Sequence, residues 1–594
     1  MRLRPPPTLP LAALTLLLAS TGLSGASLAA PAGRPITVRL VAINDFHGNL
    51  EADDLELRWP NPANPAAPHK LAVGGAAALA GLIHSLRQDR PYSLVLSSGD
   101  LFGATPLISA LLRHEPTLAT AHRLGVALAT PGNHEFDAGQ KELLRLLQGR
   151  CGAPDPRGAT QSCAFGPIEP ARFQTLAANL AAVDGPPPFA PYAIRAFGGV
   201  KVGFIGAVTR ATPLLVTPSA IEGLRFGEEA RGINQAAAAL QRQGVQAIVV
   251  LIHEGGETGD PSQPLDWNNS RCPAARGRIF AIAQQLSPAV DVVFSAHTHQ
   301  GYNCRQNGRP ILQATSYGRG VAVVDVALNP RSGDVDRART VSRNLPVLNE
   351  RTAPALRQAV LAGEPAPWRA VLARSRPDTA VAADVTRWAS AVAPIAQRVV
   401  GQITGSFERG GPADSTAGRL IADAQLAATR AAGSGGAEAA LTNPGGIRAS
   451  LPCEGQPPCS VRYGQLFAMQ PFGNTLTLLT LSGAELKELL ESQQPPGREP
   501  ATLLSPSATL RYRWQARAPH GQRVSDLRLH DRPIQPDQEV RLVVNSFLAA
   551  GGDGFTAFRK GRHPRGGPLE LEALEMYLRR ARSPDPNPRI TLVP

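Results

Sequence analysis

TVRLVAINDFHGN, residues 37–49, decides how this chain is read. Residues 37–43 form an apolar, β-branched run short enough for a buried strand, and it ends abruptly in Asn44-Asp45-Phe46-His47-Gly48-Asn49. The arrangement recurs. Residues 93–96 run into Ser98-Gly99-Asp100, and residues 126–129 into Gly132-Asn133-His134-Glu135-Phe136-Asp137. Residues 247–252 end at His253-Glu254, and residues 290–294 at Ala296-His297-Thr298-His299. Amphipathic helical patterns lie between several of these runs, GAAALAGLIHSLR at 75–87 and QKELLRLL at 140–147 among them. A further run at 202–205 and two β-rich stretches within 308–328 complete the set. Buried strands alternating with helices predict an α/β domain, and such domains gather ligands at the carboxyl ends of their strands. Five polar strand ends are therefore predicted to converge on one sheet rim.

The residues at that rim carry the chemistry. Asp45, His47, Asp100, Asn133, His253, His297 and His299 mix hard oxygens with imidazoles, which suits Zn, Mn, Co or Fe and not Ca or Mg alone. Seven ligands exceed the needs of one tetrahedral ion, so two divalent ions sharing a bridging carboxylate are implied. Such a pair polarises a phosphoryl oxygen and activates water near neutral pH. Taken singly, each piece reads blandly: Asp45 and His47 as a helix cap, Asn133 as a turn residue, His253 as a core residue, Asp137 as the cap of the helix that follows. His297 and His299 are predicted to point to one side of an extended segment. Only the joint pattern selects metal binding.

The rest of the chain sets limits on function. Its 594 residues exceed one hydrophobic core. Pro, Arg and Ala dominate residues 344–386, followed by a helical pattern at 386–399, which predicts a linker between two domains. Beyond it come a helix at 420–430 and strands at 475–481 and 539–544. Arg2 and Arg4, the apolar stretch 11–23 and small residues near 27–30 predict a cleavable secretory leader at residues 1–30, with no membrane anchor. Export makes disulfides the expected state of the six cysteines, paired by nearness in the chain as Cys151–Cys163, Cys272–Cys304 and Cys453–Cys459. The net charge of +13 favours anionic partners, but no Lys/Arg run or aromatic-interleaved basic stripe points to a nucleic acid polymer.

The order DFHG, SGDLF, GNHEFD, IHEGG, AHTHQ resembles the calcineurin-like metallophosphoesterases, and within them the secreted bacterial 5'-nucleotidase and 2',3'-cyclic-nucleotide phosphodiesterase family. The resemblance implies an α/β fold: a four-layer α/β-β-α sandwich at 34–345, a linker with a long helix at 346–399, and a substrate-binding α/β domain at 400–594. It implies Asp45, His47, Asp100 and His299 around one ion and Asp100, Asn133, His253 and His297 around the other, with Asp100 as the bridge. His134 is then the catalytic histidine, oriented by Asp137. In the second domain, LTNPGGIR, PFGN, NSFL and GGDGF at residues 441–448, 471–474, 545–548 and 551–555 resemble the family's substrate segments. They imply that Phe472 and Phe547 sandwich a base, that Asn443 and Asp553 contact base or ribose, and that Arg448 grips phosphate. Arg409 offers a second phosphate contact. The neighbouring segment departs from the family, with Ala413 at an expected basic position and Arg419 where an Asn is usual.

An exported two-metal hydrolase of 5'-nucleotides is the resulting expectation, with either a monomer or a dimer open. Its alternatives are a 2',3'-cyclic-nucleotide phosphodiesterase or a hydrolase of UDP-sugars and other nucleotide diphosphates. A sulfur-oxidising thiohydrolase and a non-catalytic nucleotide-binding or adhesin protein are more distant.

Overall fold

Strand Ile36–Ile43 is buried along nearly its whole length, because successive side chains enter two different cores. Val41 and Ile43 face the helices Ala76–Arg87 and Glu115–Leu124. Val38, Leu40 and Ala42 instead meet Phe204, Val249, Leu251 and Phe294 of a second sheet. The computed structural model describes residues 35–593 apart from 53–54, 62–63, 65–66, 154–159, 260–265, 412 and 496–500. The leader expected at 1–30 lies outside the described residues. No helix among them is long and apolar enough to cross a membrane.

The first sheet runs in the order Asp334–Val335, Gly320–Asn329, Ile36–Ile43, Ser93–Ser97, Val126–Ala129, Gln174–Thr175, with Val341–Pro346 also paired to Gly320–Asn329. The second runs Gly301–Gln306, Arg309–Ala314, Val292–Phe294, Ala247–His253, Val200–Val208, Tyr192–Phe197. Each has a parallel centre. Helices Glu229–Arg242 and Arg278–Gln285 cover the outer face of the second sheet with Ile233, Leu240, Ile279 and Ile282. Helix, sheet, sheet, helix is the four-layer sandwich the sequence led us to expect. The single rim is corrected: strand ends at Asp45, Asp100 and Asn133 belong to one sheet, and those at His253 and His297 to the other. Apolar runs identify strands but do not say which sheet each one joins.

Residues 344–378 are more than a connector. They hold helices Pro354–Gly363 and Ala366–Arg374, whose Val360, Trp368, Val371 and Leu372 enter the first domain's core. The long helix is Thr379–Ala396, starting seven residues before the sequence reading because Asp378 caps it, accepting from Ala380 N and Val381 N at 3.0 Å each. Val399 already opens the next strand. The second domain has a five-stranded sheet centred on Ala439–Thr442, Glu539–Asn545 and Thr475–Ser482, a four-stranded sheet containing Leu510–Trp514, and helices Thr416–Thr429, Gly483–Glu491 and Glu570–Leu578. All three cysteine pairs form as expected.

One buried ion pair ties these layers together. Arg39 is 2% exposed; it lies opposite Asp325 in the strand register, donates to it through Nε at 2.7 Å and Nη2 at 2.6 Å, and sits under the Trp368 ring at 4.8 Å. Removing the carboxylate leaves a guanidinium in the core without its counter-charge. Asp325→Ala is expected to lower stability by about 3–5 kcal/mol, read as a shifted urea midpoint; an unshifted midpoint would mean the pair is idle.

Candidate metal centre and substrate cleft

The strand-end loops are held in a conformation that L-residues avoid. Asp45, His47, Asp100, His297 and His299 all have positive φ, 48°, 46°, 53°, 74° and 58°. Each such residue costs roughly 1–3 kcal/mol and persists only where the surroundings dictate it. Here they do. Asp45 N donates to Gly99 O at 3.0 Å, His47 N to Asp100 O at 2.9 Å, and Tyr317 N to Asp45 O at 2.7 Å. Glu135 accepts from the backbone of Asp100, Leu101 and Phe102 at 2.9, 2.7 and 3.2 Å and of Gly132 at 2.5 Å. Position 132 must be glycine, since a Cβ there would lie 2.0 Å from Asp100 Oδ1.

This scaffold delivers two groups, Asp45 with His47 and His299, and Asp100 with His253 and His297. Asp100 Oδ2 lies between them, 3.5 Å from His47 Nε2 and 3.1 Å from His253 Nε2. His299 Nε2 is 3.5 Å from Asp45 Oδ1 and 3.2 Å from His47 Nε2. The other ring nitrogens are committed: His47 Nδ1 to Gly103 O at 2.8 Å and His253 Nδ1 to Ser98 O at 2.9 Å. That leaves each Nε2 facing inward, the usual arrangement of imidazole ligands. The expected extended segment is corrected: with both residues left-handed, His297 and His299 diverge into different groups.

The donor set fits divalent cations. Asp45 and Asp100 are 0% and 1% exposed, yet no Lys or Arg pairs with either among the described residues. Burial pushes the Asp45 carboxyl up to about 7, and pushes His47 down to about 3 and His297 to about 4. Burial holds His299 well below its usual range too, so these rings offer neutral lone pairs. His253 differs. Burial opposes its charge, but Asp100 outweighs that and raises it to about 10. Asn133 Oδ1 is buried without any hydrogen-bond partner.

His134 stands beside this centre. Its N–H donates to Asp100 Oδ1 at 2.9 Å and its Nδ1 meets Asp137 Oδ2 at 2.8 Å. Burial disfavours the imidazolium, but Asp137 and Asp100 outweigh it and the pKa is raised. Asp137 is not the N-cap of the helix that follows; Gly139 stands at that position. His134 opens onto a cleft of about 600 Å³ that both domains line. The first domain contributes Asp100, Asn133, His297 and His299, and the second Arg409, Asn443, Arg448, Phe472, Phe547 and Asp553. Phe472 stacks on the His134 ring, 5.8 Å between centroids at 19°. Asn443 Nδ2 donates to Asp553 Oδ2 at 2.7 Å and its Oδ1 accepts from Asn545 Nδ2 at 3.1 Å. The Phe547 ring lies so close to Gly552 that a Cβ there would meet its Cζ at 2.4 Å.

Sequence reasoning missed Tyr317, Arg319, Leu215 and Asn474, which also line the cleft. Glu135 and Asn44 were visible in the motifs but had no role; Asn44 Nδ2 donates to Asp45 Oδ2 at 2.7 Å and so orients it. Arg419 does not face the cleft. It is 5% exposed and donates to Asp414 and Asp585.

Residues 38–301 match the calcineurin-like phosphoesterase family and residues 399–560 the 5'-nucleotidase C-terminal domain. The chain belongs to the calcineurin-like phosphoesterases that carry a 5'-nucleotidase C-terminal domain. It is 30% identical to "Endonuclease YhcR" of Bacillus subtilis over 92% of this chain, while spanning only 40% of that protein's length. A "Probable 5'-nucleotidase" of Treponema pallidum is 27% identical, covering 92% of this chain and 90% of its own. Among solved structures, a 5'-nucleotidase precursor from Thermus thermophilus superposes with a TM-score of 0.71 at 25% identity, over 94% of this chain and 99% of that one.

Metal content measures the arrangement without any assay of activity. Two equivalents of Mn or Zn per folded chain are expected. Asp100→Ala should abolish uptake of both, and His253→Ala of one only. Equal losses in the two variants would remove Asp100 from its central position.

Proposed function

We propose that the chain is an exported phosphohydrolase that uses two divalent ions to release phosphate from 5'-nucleotides. The observation that carries this reading is the shared cleft: carboxylates and imidazoles from the first domain face two phenylalanines, two arginines and an Asn–Asp pair from the second. Asp45, His47, Asp100 and His299 would hold one ion, and Asp100, Asn133, His253 and His297 the other. When bound, the ions supply positive charge to the phosphoryl oxygens and lower the pKa of water. The remaining work belongs to the chain. Arg448 has its Nε buried without a partner, and a guanidinium supplies paired donors for phosphate oxygens. Arg409, whose Nη1 donates to Arg448 O at 3.2 Å, adds a second. Phe472 and Phe547 hold the base by stacking, a sequence-tolerant interaction, and the Asn443–Asp553 pair meets its sugar or edge.

Water adds to phosphorus as the bond to the 5'-oxygen breaks, and the departing oxygen needs a proton. His134 would give it. Asp137 fixes Nδ1, which leaves Nε2 to face the cleft and keeps the ring protonated until transfer. The leader pattern and the three disulfides support export. Ala413, at an expected basic position, leaves one cation fewer for a terminal phosphate than the family pattern has, and the inward Arg419 does not replace it; this favours cyclic or diester substrates as the second reading.

A substrate panel on metal-loaded protein separates these. AMP, UMP, 2',3'-cyclic AMP, UDP-glucose and bis(p-nitrophenyl) phosphate would be compared. Phosphate release from AMP is expected, with kcat falling about 10²–10⁴-fold in His134→Ala and KM little changed. Turnover of the diesters alone would overturn the monophosphate reading in favour of the second.

A further inference from the structure

We infer that Glu570 is a positioning residue for nucleoside binding, acting through the loop that carries Phe472; this rests on the reading of Phe472 and Phe547 as base platforms. Glu570 is 2% exposed at the start of helix Glu570–Leu578. Among the described residues no Lys or Arg pairs with it, so its oxygens are left to amides. Oε2 accepts from Gln470 Nε2 at 3.1 Å, and Oε1 from Asn474 Nδ2 at 2.9 Å. Its own N–H donates to Asn474 O at 2.9 Å.

The two amide residues bracket Pro471-Phe472-Gly473. One carboxylate thus grips both ends of the short loop on which Phe472 is mounted, and Gly473 turns that loop with φ 67°. The grip extends to the facing ring. Asn474 Oδ1 accepts from Ser546 Oγ at 3.3 Å, and Ser546 directly precedes Phe547. The chain Glu570–Asn474–Ser546 therefore sets the position of one platform relative to the other. Burial pushes the Glu570 carboxyl up to about 7, and in the ionised form it is an acceptor only, so both amides turn their NH₂ groups toward it; that choice presents Asn474 Oδ1 to Ser546. A buried carboxylate without a cation is costly, and rigidity of the loop is what it provides here.

Glu570→Gln keeps the shape but puts an amide donor where one acceptor stood, so one side of the bracket must turn or let go. Adenosine affinity, measured by calorimetry on metal-free protein, is expected to fall about tenfold. KM for AMP should rise by the same factor with kcat kept within about twofold, while KM for ribose 5-phosphate, which has no base, stays unchanged. In a Phe472→Ala background Glu570→Gln should add no further loss. Gln470→Ala does not touch the cleft and loosens the same bracket from its other end, so it should reproduce the base-selective effect if Glu570→Gln folds poorly. Full adenosine affinity in both variants, an equal rise in KM for ribose 5-phosphate, or additive losses with Phe472→Ala would each overturn the inference. If the wild type binds adenosine, loses affinity in Glu570→Gln and yet hydrolyses no AMP, the hydrolase reading fails and this one stands.

Discussion

Two carboxylates, Asp45 and Asp100, are buried where no lysine or arginine among the described residues pairs with them, and this constraint organises the first domain. An isolated ionised carboxylate in an apolar interior costs several kcal/mol. The fold supplies no guanidinium or ammonium among the described residues; it surrounds Asp100 Oδ2 with imidazoles drawn from both sheets, and Asp100 raises the pKa of one of them, His253. Everything nearby serves to keep the charge in that place. Glu135 clamps four backbone amides of the loops beside it, Gly132 gives way to Oδ1, and five residues accept left-handed backbone. A set of local penalties this consistent marks a site shaped for a ligand and not for stability.

Because the candidate ligating groups come from two sheets, their separation depends on how the sheets pack. The interface between them is apolar and close: Leu40, Leu96 and Leu128 from one, Phe204, Val249, Leu251 and Phe294 from the other. Cores of this kind resist sliding, so the distance from Asp100 to His253 is held by apolar side chains on the strands that lead into them. The second domain solves a different problem with different means. It places aromatic rings through short loops, fixed by hydrogen bonds between amides and acids: Asn443 with Asp553, Asn474 with Glu570.

The sequence made the first domain legible because metal chemistry restricts residue type. Asp, His and Asn at successive strand ends have few other reasons to recur, and the strands announce themselves as apolar runs. The partition into two sheets was not legible, since a run such as residues 247–252 reads the same whichever neighbour it pairs with. Nor was the turn at His297–His299, where alternation suggests an extended segment but tertiary contacts impose positive φ. Supporting residues were hardest. Glu135 sits in a strand-end motif without a ligand's spacing and Glu570 in a stretch with no motif, and only burial and the amides aimed at them reveal their part. In residues 344–378 the apolar positions Trp368, Val371 and Leu372 are spaced as a helix face, but proline-interrupted segments this short lack the periodicity that would separate them from a loop.

Arg419 shows why a departure from a family pattern has to be read in three dimensions. In the sequence it stands where an Asn is usual, and nothing there says which way its cation points. Its guanidinium instead bonds Asp414 and the Asp585 carbonyl, inside the second domain, next to Arg589 bound to Asp423 at 2.7 Å. The cleft's second-domain cations are then Arg409 and Arg448, and among the described residues neither is paired with a carboxylate. Two guanidinium groups near one another, one with a buried Nε lacking any acceptor, repel unless an anion lies between them. The demand for an anionic ligand is thus built into the second domain by itself, and would persist in a chain stripped of every metal.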